Sequence, residues 1–134
     1  MKKTILSFFA TLATMFLAHS QTNALDSSVE RGHEIYKDFC INCHLLTGEG
    51  VVGVFPPLAK SDFLIKNRIE SIRAIKFGLQ GEIVVNGKTY NSIMAPLGLS
   101  DDEVADVMNY INNSWGNTND KIVTEEEVSK IEKQ

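Results

Sequence analysis

The feature that most constrains this chain is a cluster of two cysteines and a histidine near residue 40. Cys40 and Cys43 are the only cysteines of the 134 residues, and with His44 they form a C-x-x-C-H motif. This spacing occurs in dithiol redox sites, in metal sites and at covalently attached cofactors. The glycines and prolines of residues 47–58 predict an irregular loop behind it. The middle of the chain therefore needs a bound group or a site to organise it.

The N-terminus indicates the compartment in which these cysteines function. A Met-Lys-Lys start precedes an apolar run over residues 5–18, which is shorter than the roughly 20 residues of a membrane-spanning helix. This layout is typical of a secretory signal peptide. We predict a signal peptide over residues 1–24, cleaved after Ser20 or Ala24, with the mature chain in the periplasm and without an integral membrane segment.

The remaining residues, 25–134, are enough for one globular domain, in which residues 117–134 are predicted to be a C-terminal tail with a short helix. Loss of residues 1–24 removes two of the 13 basic side chains and none of the 17 acidic ones, which leaves a net charge of −6. This charge disfavours nucleic acid and anionic membranes, and it permits steering toward a basic partner.

In an exported protein, the C-x-x-C-H motif is typical of covalent attachment of a c-type haem. Two intervening residues let both sulfurs reach the vinyl groups of one porphyrin edge, and His44 can give a nitrogen to the iron. A thioredoxin-like dithiol would need a preceding strand, and a Cys40–Cys43 disulfide would leave His44 without a role. A zinc site would need a further ligand, for which His33 is a candidate. We predict one covalently bound haem c.

Periodicity and capping residues predict a mostly helical chain with one hairpin. The predicted elements before residue 100 are a helix capped by Ser27 or Ser28 and ending near Phe39, a helix with Ile69, Ile72 and Ile75 ending at Gly78, and a hairpin over residues 82–90 turning at Asn86-Gly87. Two capping boxes, Ser100 with Glu103 and Thr124 with Glu127, then predict a long helix ending at Gly116 and a short terminal helix. The apolar face of the long helix is Val104, Val107, Met108, Ile111 and Trp115.

From Gly32 to Gly116 the chain resembles the class I monohaem cytochromes c. The segment GHEIYKDFCINCH is similar to the family's first helix and attachment site. The resemblance implies an all-α cytochrome c fold, with three to five helices and a small hairpin wrapped around one haem. It also implies that Gly32 lies where the first helix crosses the last, near Tyr110 and Ile111, because a residue without a side chain permits close approach.

The resemblance also assigns site residues. The loop GEGVVGVFPPLAKS implies that the Pro56 carbonyl accepts a hydrogen bond from His44 and that Leu58 packs on the porphyrin edge. The loop NSIMAPLG implies that Met94 is the second axial ligand of the iron. Leu45 departs from the family pattern, which often has glycine directly after the motif, and Ala95 stands where a proline often follows the methionine.

These assignments imply a one-electron carrier that passes electrons between a donor and an acceptor oxidoreductase, and not an enzyme. With both axial positions filled, by His44 and Met94, the iron has no open site for a substrate. Two alternatives remain. One is a haem enzyme or gas-binding sensor with a displaceable sixth ligand. The other is a dedicated cytochrome subunit of a periplasmic dehydrogenase or reductase.

Overall fold

The computed structural model describes residues 24–119 and 121–133. The predicted signal peptide lies outside these residues, apart from Ala24. The described elements are α1 (24–39), α2 (Ile41–His44), α3 (Asp62–Lys66), α4 (Arg68–Phe77), β1 (Ile83–Val85), β2 (Lys88–Tyr90), α5 (Asp101–Asn112) and α6 (Glu125–Ser129). The predicted helical class with one small hairpin is confirmed, with α2, α3 and α6 as short helices of four or five residues.

Helix α5 forms the centre of the core. The predicted capping box of Ser100 and Glu103 is present at its start, and Val104, Val107, Met108 and Ile111 are buried along one face. The predicted end at Gly116 is wrong, because α5 ends at Asn112. The Asn113 amide and the Ser114 hydroxyl donate to the carbonyls of Asn109 and Tyr110. Such side chains compete for helical carbonyls and favour termination.

Helices α1 and α5 cross at Gly32, as predicted. A Cβ atom at this position would overlap the Asp106 carbonyl and lie 2.8 Å from Tyr110 Cβ, so only glycine permits the crossing. The predicted cap at Ser27 or Ser28 is wrong, since both residues lie inside α1. The buried Ser28 hydroxyl instead donates to Asp106 Oδ1 at 2.6 Å and accepts from Asn109 Nδ2 at 2.8 Å, so its oxygen binds α5 rather than capping α1.

The segment after α5 returns across the core and buries Val123, Val128 and Ile131. The Asn109 side chain accepts from Val123 N at 2.7 Å and donates to Val123 O at 2.9 Å. The second predicted capping box is only half formed. Thr124 Oγ1 accepts from Glu127 N, but the Glu127 carboxylate binds the Arg68 guanidinium through two 2.7 Å contacts. The guanidinium gives this carboxylate two charge-assisted bonds, whereas the capping box would have given it one.

Helix α4 ends at Phe77 before Gly78, as predicted, and buries Ile72 and Ile75. Ile69 was predicted to share this face but is 47% exposed, because each step of three residues turns about 60° around a helix, which puts Ile69 about 120° from Ile75. Helix α3, which the sequence did not predict, precedes α4 and is capped by Ser61, whose side chain accepts from Leu64 N.

The predicted hairpin is confirmed. Strands β1 and β2 pair antiparallel with Ile83 opposite Tyr90, and Asn86 and Gly87 both have positive φ, of 51° and 74°. These angles fit the tight turn that Asn-Gly favours. Asn86 also exchanges two hydrogen bonds with Asp62, one through its backbone N–H and one through its side-chain oxygen, so the hairpin is fixed against α3.

Candidate haem site

The C-x-x-C-H motif lies where α1 gives way to α2. The N–H groups of Cys43 and His44 both donate to the Cys40 carbonyl, so the two thiols and the imidazole share one turn. Cys40 is buried, Cys43 is half-buried, and no disulfide joins them. Burial raises the pKa of the Cys40 thiol to about 11.

The His44 ring is held by the irregular loop that follows the motif. Its Nδ1–H donates to the Pro56 carbonyl at 3.0 Å, which leaves Nε2 available to bind a metal. Burial lowers the pKa of His44, and the hydrogen bond to Pro56 opposes this shift only in part. The neutral imidazole, which is the form that binds metal ions, is therefore favoured.

Met94 is held by its backbone. It forms an isolated antiparallel bridge with Leu79, in which Leu79 N donates to Met94 O at 2.8 Å and Met94 N donates to Leu79 O at 2.9 Å. Gly78 has φ 82°, and a Cβ atom there would lie 2.6 Å from Met94 O. The end of α4 therefore fixes the methionine loop, although Ala95 replaces the proline that often follows.

Two cavities with apolar walls bring the predicted site residues together. His44, Pro56, Leu79, Ile83 and Met94 line both of them. Cys40 and Leu58 complete the wall of the first cavity, and Cys43 that of the second. The sequence did not identify Leu79, Ile83, Val85 and Tyr90 as lining residues. The alternation of the hairpin could have indicated the last three.

The chemistry of these walls fits a haem. Among the described residues, no charged side chain lines either cavity, as an apolar macrocycle requires. An imidazole nitrogen and a thioether sulfur are donors that a haem iron uses, and the two cysteine sulfurs are the groups that attach the porphyrin covalently. A zinc site is not supported, since the described part of the chain holds no group of three or more His, Cys, Asp or Glu side chains suited to a metal. His33 lies beside Tyr110, with ring centroids 5.1 Å apart.

In the described ranges, no helix has the length and apolar character needed to span a membrane. This result covers residues 24–119 and 121–133 only.

Known proteins are similar to this chain in sequence. The family model for cytochrome c matches residues 29–115. A cytochrome c-552 of Thermus thermophilus is 36% identical over 140 residues, covering 98% of this chain and 86% of that protein. Another cytochrome c-552 of that organism is 39% identical over 109 residues, covering 75% of this chain and 82% of that protein.

A further relative is the cytochrome c subunit of a quinone alcohol dehydrogenase from Gluconobacter oxydans. It is 31% identical over 118 residues, which is 83% of this chain but 24% of that subunit. The family match covers the cysteine motif, the loop to Leu58 and the Met94 loop. The chain therefore belongs to the cytochrome c family as a class I c-type cytochrome, an electron-transfer protein, and not an enzyme, that carries covalently bound haem c.

Proposed function

We propose that this chain is an exported, periplasmic one-electron carrier in which His44 and Met94 are the axial ligands and Cys40 and Cys43 form the thioether links. The observation that carries the proposal is that His44, held by Pro56, and Met94, held by Leu79, line the same two cavities. The signal peptide pattern in residues 1–24 supports the export. When bound, the haem supplies a one-electron iron centre. Ligation by methionine raises the reduction potential of such a centre.

The protein residues orient the ligands and exclude water. The hydrogen bond from His44 to Pro56 fixes the ring plane and makes the imidazole more basic. The two backbone hydrogen bonds between Met94 and Leu79 hold Met94 in position in addition to side-chain packing. Leu58 and Ile83 add apolar wall, with Leu58 assigned to the porphyrin edge. With both axial positions filled by the protein, no position remains for a substrate.

Electron exchange also needs a contact surface close to the site, and the structure supplies an apolar rim, defined here as Val52, Val54 and Ile93. All three side chains are exposed, and Ile93 lines the cavity that contains Cys43. The Ser92 hydroxyl donates to Val54 O at 2.7 Å and joins the two loops. Residues 50–58 and 91–99 contain no charged side chain. We therefore assign this rim to docking with a redox protein whose contact face is also apolar.

A dedicated cytochrome subunit of a periplasmic dehydrogenase is the second candidate. The Gluconobacter oxydans relative, a dehydrogenase subunit, supports it. The iron ligands are the same in both candidate functions. The difference is whether the partner is bound stably or transiently. Copurification of a dehydrogenase in stoichiometric amounts would favour the subunit, and isolation of the chain alone would favour the mobile carrier.

The wild-type protein is expected to be low-spin in both redox states and not to bind carbon monoxide rapidly when reduced, because Met94 occupies the sixth position. Absorption spectra of both states, followed by mixing of the reduced protein with carbon monoxide, test this. A high-spin spectrum or fast binding would contradict the carrier and favour a haem enzyme or gas sensor.

Ile93→Gln is expected to slow electron self-exchange between oxidised and reduced copies by roughly tenfold, the effect of losing one well-packed apolar contact in an interface. Nuclear magnetic resonance line broadening measures this rate at about 1 M salt, where the Debye length is about 3 Å and repulsion between acidic copies is screened. The matched control is Ile65→Gln. Ile65 is 77% exposed, close to the 70% of Ile93, but lines neither site cavity. Equal rates in the two variants would exclude the rim as the contact surface.

A further inference from the structure

The residue directly after the haem motif has an unusual backbone conformation. Leu45 has φ 63° and ψ 171°, a combination that is essentially confined to glycine because a Cβ atom is crowded there. Such a conformation persists in a leucine only if surrounding contacts hold it. Since Leu45 follows His44 in the chain, its conformation also sets the direction in which the backbone leaves the histidine.

Three hydrogen bonds hold Leu45. Its N–H donates to Ile41 O at 2.9 Å, and its carbonyl accepts from Gly48 N at 3.2 Å. The same carbonyl accepts from the Tyr36 hydroxyl at 2.7 Å, which is the shortest of the three and the only one made by a side chain. Cys40 directly follows α1, and its N–H donates to the Tyr36 carbonyl at 2.9 Å. The hydroxyl therefore links the helix before the motif to the residue after it.

Tyr36 is well placed to act as a fixed donor. It is 1% exposed, and its ring lies 5.4 Å from that of Tyr110 and 5.0 Å from that of Trp115, measured between centroids. Burial raises the pKa of the Tyr36 hydroxyl well above its ordinary value, so the proton that forms the bond stays on the oxygen. Neighbouring rings hold the side chain, and the hydroxyl reaches Leu45.

The conformation of Leu45 is coupled to His44, because both the backbone and the ring of His44 are hydrogen-bonded to the loop that follows. His44 O accepts from Gly50 N at 3.0 Å, and the His44 ring donates to Pro56 O in the same loop. We propose that Tyr36 is a positioning residue for His44, whose hydroxyl holds Leu45 in its glycine-like conformation and thereby keeps the imidazole aligned with the Pro56 carbonyl. This inference rests on the proposed role of His44 as an iron ligand.

The test measures hydrogen exchange of the His44 ring N–H in the reduced holoprotein by nuclear magnetic resonance. Tyr36→Phe removes only the hydroxyl and is expected to speed this exchange about fivefold, the factor that one neutral hydrogen bond provides. Tyr110→Phe is the matched control, since it makes the same change in the same ring cluster while the hydrogen bond to Leu45 is made by Tyr36. The control is expected to exchange at the wild-type rate.

A second variant tests the strain itself. In the Tyr36→Phe background, Leu45→Gly is expected to restore slow exchange, because glycine adopts this conformation without help. The proposal is overturned if Tyr36→Phe exchanges like the wild type, if both tyrosine variants exchange faster by the same factor, or if Leu45→Gly gives no rescue. Failure of the proposed function is seen separately, because a wild-type spectrum without histidine–methionine ligation would show it before any variant is made.

Discussion

Met94→Ala is expected to open the sixth coordination position, so that carbon monoxide binds rapidly to the reduced protein and the reduction potential falls. Alanine has no thioether, and the backbone bridge to Leu79 would keep the loop in place while leaving space above the iron. The potential should move within the roughly 0.8 V range over which axial ligands set it. Spectroelectrochemistry measures the potential, and the sulfur-to-iron charge-transfer band reports the bond directly.

Met108→Ala is the matched control, as residues 25–134 contain no methionine besides Met94 and Met108. Met108 is fully buried on α5, so its truncation is expected to lower the free energy of unfolding by about 2–5 kcal/mol without changing the spectrum. If Met94→Ala kept the charge-transfer band, or if Met108→Ala abolished it, the ligand assignment would be wrong.

Replacement of both Cys40 and Cys43 by alanine is expected to abolish covalent attachment and leave little folded protein. The loops over residues 47–58 and 91–99 contain little regular structure and form much of the cavity walls. A group that binds only the native state stabilises it, so a small domain without that group loses this part of its stability. Circular dichroism measures the loss of fold, and extraction with acidic organic solvent shows whether colour stays on the chain.

Asn42→Ala is the control for this variant, because Asn42 is exposed between the two cysteines and its loss leaves both thiols. Colour retained on the double variant after extraction would contradict thioether attachment, as would colour extracted from the wild type.

The elements that the sequence predicted well depend on neighbouring residues. The capping box at Ser100, the turn at Asn86-Gly87 and the end of α4 before Gly78 each follow from residues at most four positions apart. The wrong predictions involve distant partners. Ser28 binds Asp106, and Glu127 binds Arg68. Tertiary contacts of this kind override a local capping preference that is worth only about 1 kcal/mol.

In the candidate site, too, local sequence patterns could be predicted and tertiary contacts could not. The C-x-x-C-H motif and the predicted signal peptide together indicate the cofactor, and the scarcity of methionine in residues 25–134 narrows the second ligand to two residues. The bond between Tyr36 and Leu45 could not be predicted, since it depends on a backbone conformation that leucine rarely adopts. The two hydrogen bonds between Leu79 and Met94 could not be predicted either, because backbone atoms make them.

The crossing of α1 and α5 has a consequence for how the chain reaches its native state. Ser28 pairs with Asn109 across 81 positions, and Arg31 pairs with Asp106 across 75. Contacts between such distant positions slow folding, since a long loop must close before they form. These contacts of α1 therefore cannot form until α5 packs against it. We expect the motif that directly follows α1 to stay accessible for cofactor attachment until the arrival of α5 closes the chain around it.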